Sequence, residues 1–131
     1  VRMRAQQESA LTIASWLEKR PEVSRVLYPP LASDPGHALW QRDFTGAGAL
    51  FGVELKSESA QAVADMVDHY RYFAIGASWG GFESLVTVNR PMRSVRPWQG
   101  RGTLLRYSIG LEDTEDLISD LEEGFERLGK A

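Results

Sequence analysis

Thr103-Leu104-Leu105-Arg106-Tyr107-Ser108-Ile109, followed by Gly110-Leu111-Glu112-Asp113, is the stretch on which the fold turns. Its first seven residues alternate. Leu105, Tyr107 and Ile109 fall on one side of an extended chain, and Leu104, Arg106 and Ser108 on the other. That is the period of a strand with one buried face. Asp113 then offers a side-chain oxygen to the free amides of a helix start. Glu115 and Asp116 put negative charge in the first turn, where the helix dipole favours it. Leu117, Ile118, Leu121, Phe125 and Leu128 recur at helical spacing and predict a helix with one apolar stripe.

The rest of the chain repeats these two patterns. Met3, Ala10, Ile13, Ala14 and Leu17 predict a helix over 3–19, stopped by Pro21. Val23 to Tyr28 reads as a strand closed by Pro29 and Pro30, Ser33 to Gly36 as a turn, and His37 to Arg42 as one or two helical turns. Ala49, Phe51, Val53 and Leu55 share one face of a strand, with Gly52 and Glu54 on the other. Ser57 is the expected N-cap of a helix over 58–70, striped by Val63, Met66, Val67 and Tyr70. Tyr72 to Ile75 and Ser84 to Val88 read as short strands around a turn at 76–81, and 90–102 as a loop holding Pro91, Pro97, Gly100 and Gly102. The order predicts an α+β fold. It is a two-layer sandwich, with an antiparallel or mixed sheet and helices mainly on one face. The polar residues of several strands would then share the second face, which is either wet or covered from outside.

Composition narrows the function. The 131 residues are 43% hydrophobic and 25% charged, ordinary for a globular domain. The net charge of −3 gives no sign of a nucleic-acid partner. Arg90, Arg93, Arg96 and Arg101 cluster only in a loop, as solvated charges do. With no cysteine there is no disulfide framework, thiolate nucleophile or cysteine zinc site. No apolar run approaches the ~18 residues of a membrane span, and no signal peptide is legible, so no membrane partner is expected and the cytoplasm is the expected compartment. Residue 1 is not methionine and falls inside a helical pattern, which gives the expectation of a piece of a longer chain.

Arg106 stands out as a guanidinium in the middle of a largely apolar strand. Its fork suits a carboxylate, either a substrate's or that of an acid in a structural salt bridge. In Ser78-Trp79-Gly80-Gly81-Phe82-Glu83-Ser84 the glycines permit close backbone approach. There Ser78 is a candidate hydrogen-bonding group and Trp79 either a pocket wall or the core of a tight turn. Glu83 is a candidate base or a cap of turn amides. His37 and His69 lack metal-ligand spacing, so no metal is expected. Lys19, Lys56 and Lys130 sit at element ends, where solvated amines belong, and none reads as a buried imine-forming lysine.

Ala77-Ser78-Trp79-Gly80-Gly81-Phe82-Glu83-Ser84-Leu85, followed by Thr103 to Asp113, closely resembles the C-terminal half of the pyridoxal-phosphate (PLP) enzymes of Cys/Met metabolism. These are the cystathionine β-lyases, γ-lyases and γ-synthases and the methionine γ-lyases. Arg4-Ala5-Gln6-Gln7-Glu8-Ser9-Ala10 resembles the helix that links that family's two domains, His37 to Gly46 its following loop, and Asp116 to Leu121 its last helix. Trp79 and the His37 to Asp43 stretch resemble the bacterial β-lyase branch. The resemblance implies a linking helix at 1–20 and a C-terminal small domain at 21–131. It implies that Arg106 and Ser78 hold the substrate's α-carboxylate while Trp79 lines the pocket. The substrate would be cystathionine or a related sulfur amino acid, cleaved to homocysteine, pyruvate and ammonia. The tyrosine that the family carries before that serine is Ala77 here, so any contact of its ring is lost. PLP, its lysine and the other catalytic groups belong to the family's large domain. The resemblance therefore implies no catalytic and no cofactor-binding residue in this chain, and a homotetramer for the whole protein. Without its large domain the face of Leu104, Arg106 and Ser108 is expected to expose apolar surface and the chain to self-associate.

Overall fold

The strand predicted around Arg106 lies at the centre of the molecule. A computed structural model describes residues 1–130. In chain order the elements are α1 (Arg2–Leu17), β1 (Val23–Leu27), α2 (His37–Asp43), β2 (Leu50–Leu55), α3 (Ala60–Val67), β3 (Ala74–Ile75), β4 (Leu85–Asn89), β5 (Leu104–Ser108) and α4 (Thr114–Leu128). The strands form one sheet in the order β1-β2-β5-β4-β3. Every pairing is antiparallel except β3 with β4, so the sheet is mixed. The α+β expectation holds.

The alternation in β5 does what its period implies. Leu105, Tyr107 and Ile109 are buried, Leu105 opposite Val53 and Val88, and Tyr107 opposite Phe51 and Val86. This face shares one hydrophobic cluster with Ile13 and Leu17 of α1, Val63 and Met66 of α3, and Leu117, Leu121 and Phe125 of α4. The Asp113 carboxylate accepts from the amides of Glu115 and Asp116, as the sequence predicts. Helix α2 buries no residue.

Three boundaries around α3 and β3 differ from the sequence reading where a distant group competes for the local backbone, and α1 ends at Leu17 rather than at 19. Ser59, not Ser57, caps α3, its Oγ accepting from Ala62 N at 3.2 Å. The carbonyl of Ser57 instead accepts from Thr103 N, which holds that residue beside the entry to β5. Helix α3 ends at Val67 rather than near 70. Buried Asp120 of α4 accepts the amides of Arg71 and Tyr72 at 2.8–3.0 Å, turning the chain out of the helix and shortening the next strand to Ala74–Ile75.

The second sheet face is partly covered by the chain's own loops. Leu104 and Arg106 are half-buried and Ser108 is buried. Glu54, also on this face, is 5% exposed. It accepts from Arg25 Nε at 2.7 Å and from Arg101 N at 3.0 Å, tethering the loop before β5. On this face Leu50, opposite Ser108, is the large apolar side chain left exposed, and others, among them Trp79, Phe82, Met92 and Val95, are exposed in the loops. Among the described residues no helix is long and apolar enough to cross a membrane.

Two buried tyrosines, Tyr28 and Tyr107, and the partly buried Tyr70 give the fold an alkaline limit. The Tyr28 hydroxyl donates to Gly48 O at 2.7 Å, and burial pushes its pKa up to about 12. Burial also raises Tyr70 and Tyr107, whose hydroxyls meet at 2.9 Å. A tyrosine whose folded pKa exceeds its unfolded value of about 10 contributes stability that is complete below that value and is lost as pH rises through the folded pKa. Far-ultraviolet circular dichroism is expected to report cooperative unfolding between about pH 10 and 12, together with tyrosinate absorbance. Titration of Tyr28, Tyr70 and Tyr107 near pH 10 in a folded chain would contradict this.

Candidate functional site

Arg106 lies on the outer face of β5, between Gly52 of β2 and Thr87 of β4. At Gly52 a Cβ would come within 3.1 Å of Leu27 Cδ1. Small neighbours leave the arginine room to reach along the sheet, past the end of β3. There Nη2 donates to the carbonyl oxygens of Ala77 at 2.8 Å, Ser78 at 3.2 Å and, at 3.4 Å, Gly76. The Nε–H is buried and has no partner. No carboxylate lies within salt-bridge distance of Arg106 among the described residues. The structural ion pair left open by the sequence is thus excluded. What stands in its place is a guanidinium that braces a turn through one nitrogen and keeps donors to spare.

The turn itself is stapled to the sheet. Gly80 has φ +77°, the left-handed region that glycine enters freely. Its amide donates to Ser108 Oγ at 3.3 Å. Leu111 N donates to Phe82 O at 2.8 Å. Beyond the turn, Glu112 accepts from Ser84 N and Ser84 Oγ, both at 2.7 Å, and Ser84 Oγ accepts from Gly110 N at 2.9 Å. A Cβ at Gly110 would overlap the carbonyl of Phe82, so the close approach of the two segments requires glycine there.

Ser78 is exposed, and its carbonyl rather than its hydroxyl meets Arg106. Trp79 is 67% exposed, so it is not the core of a tight turn. Arg106, Ser78 and Trp79 therefore sit together at one end of the sheet with unspent hydrogen-bonding capacity and an open aromatic face. Glu83 is exposed and makes no hydrogen bond among the described residues; the cap of local amides expected of it is supplied by Glu112. His37 Nδ1 lies 2.8 Å from Pro29 O, its ring beside Trp40. Among the described residues no group of three His, Asp or Glu could hold a metal ion.

The sequence reading passed over Gln6, Ser84, Ser108 and Glu112. Gln6 carried a signal, because it is a polar residue one turn before Ala10 on the stripe that continues through Ile13, Ala14 and Leu17. It is buried, and its amide reaches the same turn.

A groove of about 760 Å³ runs between α3 and β4, lined in part by Val63, Val67, Ile75, Val88 and Trp98. Arg106, Ser78 and Trp79 do not line it. PLP needs a lysine amine to be carried as an imine. Lys19, Lys56 and Lys130 are all exposed at element ends, and the described residues do not by themselves form a seat for that cofactor.

Known proteins resemble this chain in sequence and in fold. Residues 1–126 match the family described as Cys/Met metabolism PLP-dependent enzyme. The cystathionine β-lyase MetC of Escherichia coli K12 is 44% identical over 98% of this chain and 34% of its own length. An L-alanine/L-glutamate racemase of Wolbachia pipientis is 45% identical over 97% of the chain and 32% of its own. The crystal structure of cystathionine γ-synthase from Xanthomonas oryzae, in complex with aminoacrylate and cysteine, superposes with a TM-score of 0.86 at 38% identity. It is covered over 98% of this chain and 35% of that one. The chain thus spans about a third of the length of the relatives it matches. With the family match covering nearly all of it, and the fold in agreement, this chain belongs to the PLP-dependent enzymes of Cys/Met metabolism.

Proposed function

We propose that this chain is the part of a PLP-dependent carbon–sulfur β-lyase that binds and orients the substrate's α-carboxylate. Residues 1–20 are the helix leading from a large domain, and 21–131 are the small domain. The observation that carries the reading is the Arg106 guanidinium, with a buried, unpartnered Nε and no carboxylate of its own. A substrate carboxylate supplies the missing anion. Ser78 adds a hydroxyl beside it, and Trp79 closes the pocket against the large domain. Holding the carboxylate fixes the direction of the bonds at the α carbon, which is an orientation effect.

Cystathionine is the substrate, cleaved to homocysteine, pyruvate and ammonia. Relatives named cystathionine β-lyase at 43–45% identity support that choice. The γ-synthase superposition keeps a γ-branch reading as the alternative. PLP supplies the electron sink when bound. Its lysine lies outside these residues, and the isolated chain neither holds the cofactor nor turns over substrate. The whole protein is a homotetramer, and the exposed Trp79 and Phe82 make the isolated chain prone to self-association.

The test assays the 131-residue chain and the whole protein that contains it with cystathionine and PLP. Pyruvate from the whole protein alone is the expected result. The γ branch would release 2-oxobutyrate, because the bond on the other side of sulfur breaks. Robust turnover by the isolated chain, or none by the whole protein, would overturn the reading.

A further inference from the structure

Gln6 occupies a position where the packing of α1 asks for an apolar residue. It precedes Ala10, Ile13, Ala14 and Leu17 on the buried stripe, and it is itself 4% exposed. A buried amide is kept at low cost only when its hydrogens find acceptors. Here Nε2 donates to two carbonyls from different parts of the chain, Gly81 O at 2.7 Å and Ile109 O at 3.0 Å. Gly81 lies three residues after Ser78, and Ile109 three residues after Arg106. One planar amide therefore sets the separation between the turn that carries Ser78 and the strand that carries Arg106. Gln7 beside it grips another loop, its Oε1 accepting from Ala47 N at 2.8 Å.

We infer that Gln6 is a positioning residue for substrate-carboxylate binding: it holds the Ser78 turn in register with Arg106 without touching the substrate. The inference rests on the reading of Arg106 and Ser78 given above. The other ties of the turn come from the sheet and from Glu112. Among the described residues only the Gln6 amide bonds the turn to α1. Without it the turn keeps its ties to Ser108, Leu111 and Arg106 but loses the one that fixes its distance from α1 and from Ile109, so its register with Arg106 loosens.

Gln6→Met in the whole protein is the test. Methionine matches the length of glutamine, suits a helix and a core, and has no donor. The KM for cystathionine is expected to rise about tenfold with kcat within about twofold, as for loss of binding shared by ground and transition states. Amide hydrogen exchange at Gly80 and Leu111 is expected to quicken at least tenfold, while amides from Ala10 to Leu17 stay protected. Unchanged KM, a loss confined to kcat, or exchange rising throughout α1 would overturn the inference, the last marking a merely structural role. Arg106→Ala run alongside separates the two claims. If Arg106→Ala raises KM and Gln6→Met does not, the positioning role alone fails. If Arg106→Ala has no effect, the reading of the site fails.

Discussion

Alanine in place of Arg106 is expected to raise the KM of the whole protein for cystathionine about a hundredfold, with a smaller effect on kcat. A paired, charge-assisted contact between guanidinium and carboxylate contributes about 3 kcal/mol in a site closed to water. At about 1.4 kcal/mol per factor of ten, that is a change of roughly a hundredfold. The fold should tolerate the change. Arg106 is only half-buried, its bonds go to carbonyls of a turn, and residues 77 and 78 are exposed, so water can replace it. The melting temperature is therefore expected to fall by only a few degrees. Arg106→Lys should recover little of the affinity. One ammonium cannot brace the Ala77 and Ser78 carbonyls and also present a planar pair of donors to a carboxylate. Steady-state kinetics with a thermal melt decide the matter. An unchanged KM in a folded Arg106→Ala protein would leave the carboxylate role without support.

One residue along, on the opposite face, the expected effect is on stability. Tyr107 is 1% exposed, its ring centroid 5.2 Å from Phe73 in an edge-on pair and 6.0 Å from Phe51. Its hydroxyl meets that of Tyr70 at 2.9 Å. Tyr107→Ala empties that space and leaves the Tyr70 hydroxyl without this partner. Truncating a buried aromatic residue costs about 3–5 kcal/mol, and the partly buried Tyr70 hydroxyl left without this partner adds about 1–3. Against a total of about 5–15 kcal/mol for a domain of this kind, the variant is expected to lose about half of its stability. Tyr107→Phe removes only the hydroxyl contact, so about 1 kcal/mol is expected. It should leave the Arg106 face intact. Chemical denaturation of the three proteins tests both statements. A Tyr107→Ala protein as stable as the parent would mean that the core had closed around the vacancy.

Much of the fold was legible because its signals are local. Alternation from Leu104 to Ile109 marked the central strand and its two faces. The Asp113 cap and the stripe from Leu117 to Leu128 marked the last helix. Where reading failed, the competing group was remote in sequence. Ser57 was the expected cap of α3, but Thr103 claims its carbonyl and Ser59 caps the helix. Tyr72 looked like strand until Asp120, 48 residues away, took its amide.

The site divides in the same way. Arg106 drew notice from the sequence because a charge within an apolar alternation is costly unless it is partnered. The two motifs that hold Arg106 and Ser78 were recognisable as letters in order. What no periodicity could supply is that Arg106 reaches carbonyls 28–30 residues away, or that Gln6 ties α1 to both segments. Nor could it show that Trp79 stands in the open. The sequence by itself determined most of the residues that face the core, because side-chain period follows backbone geometry residue by residue; the start of α1 is the exception, where Met3 is exposed and Gln6 buried. The tertiary structure alone decided which donors meet which acceptors. Those pairings follow from the strand order β1-β2-β5-β4-β3, which brings distant segments side by side.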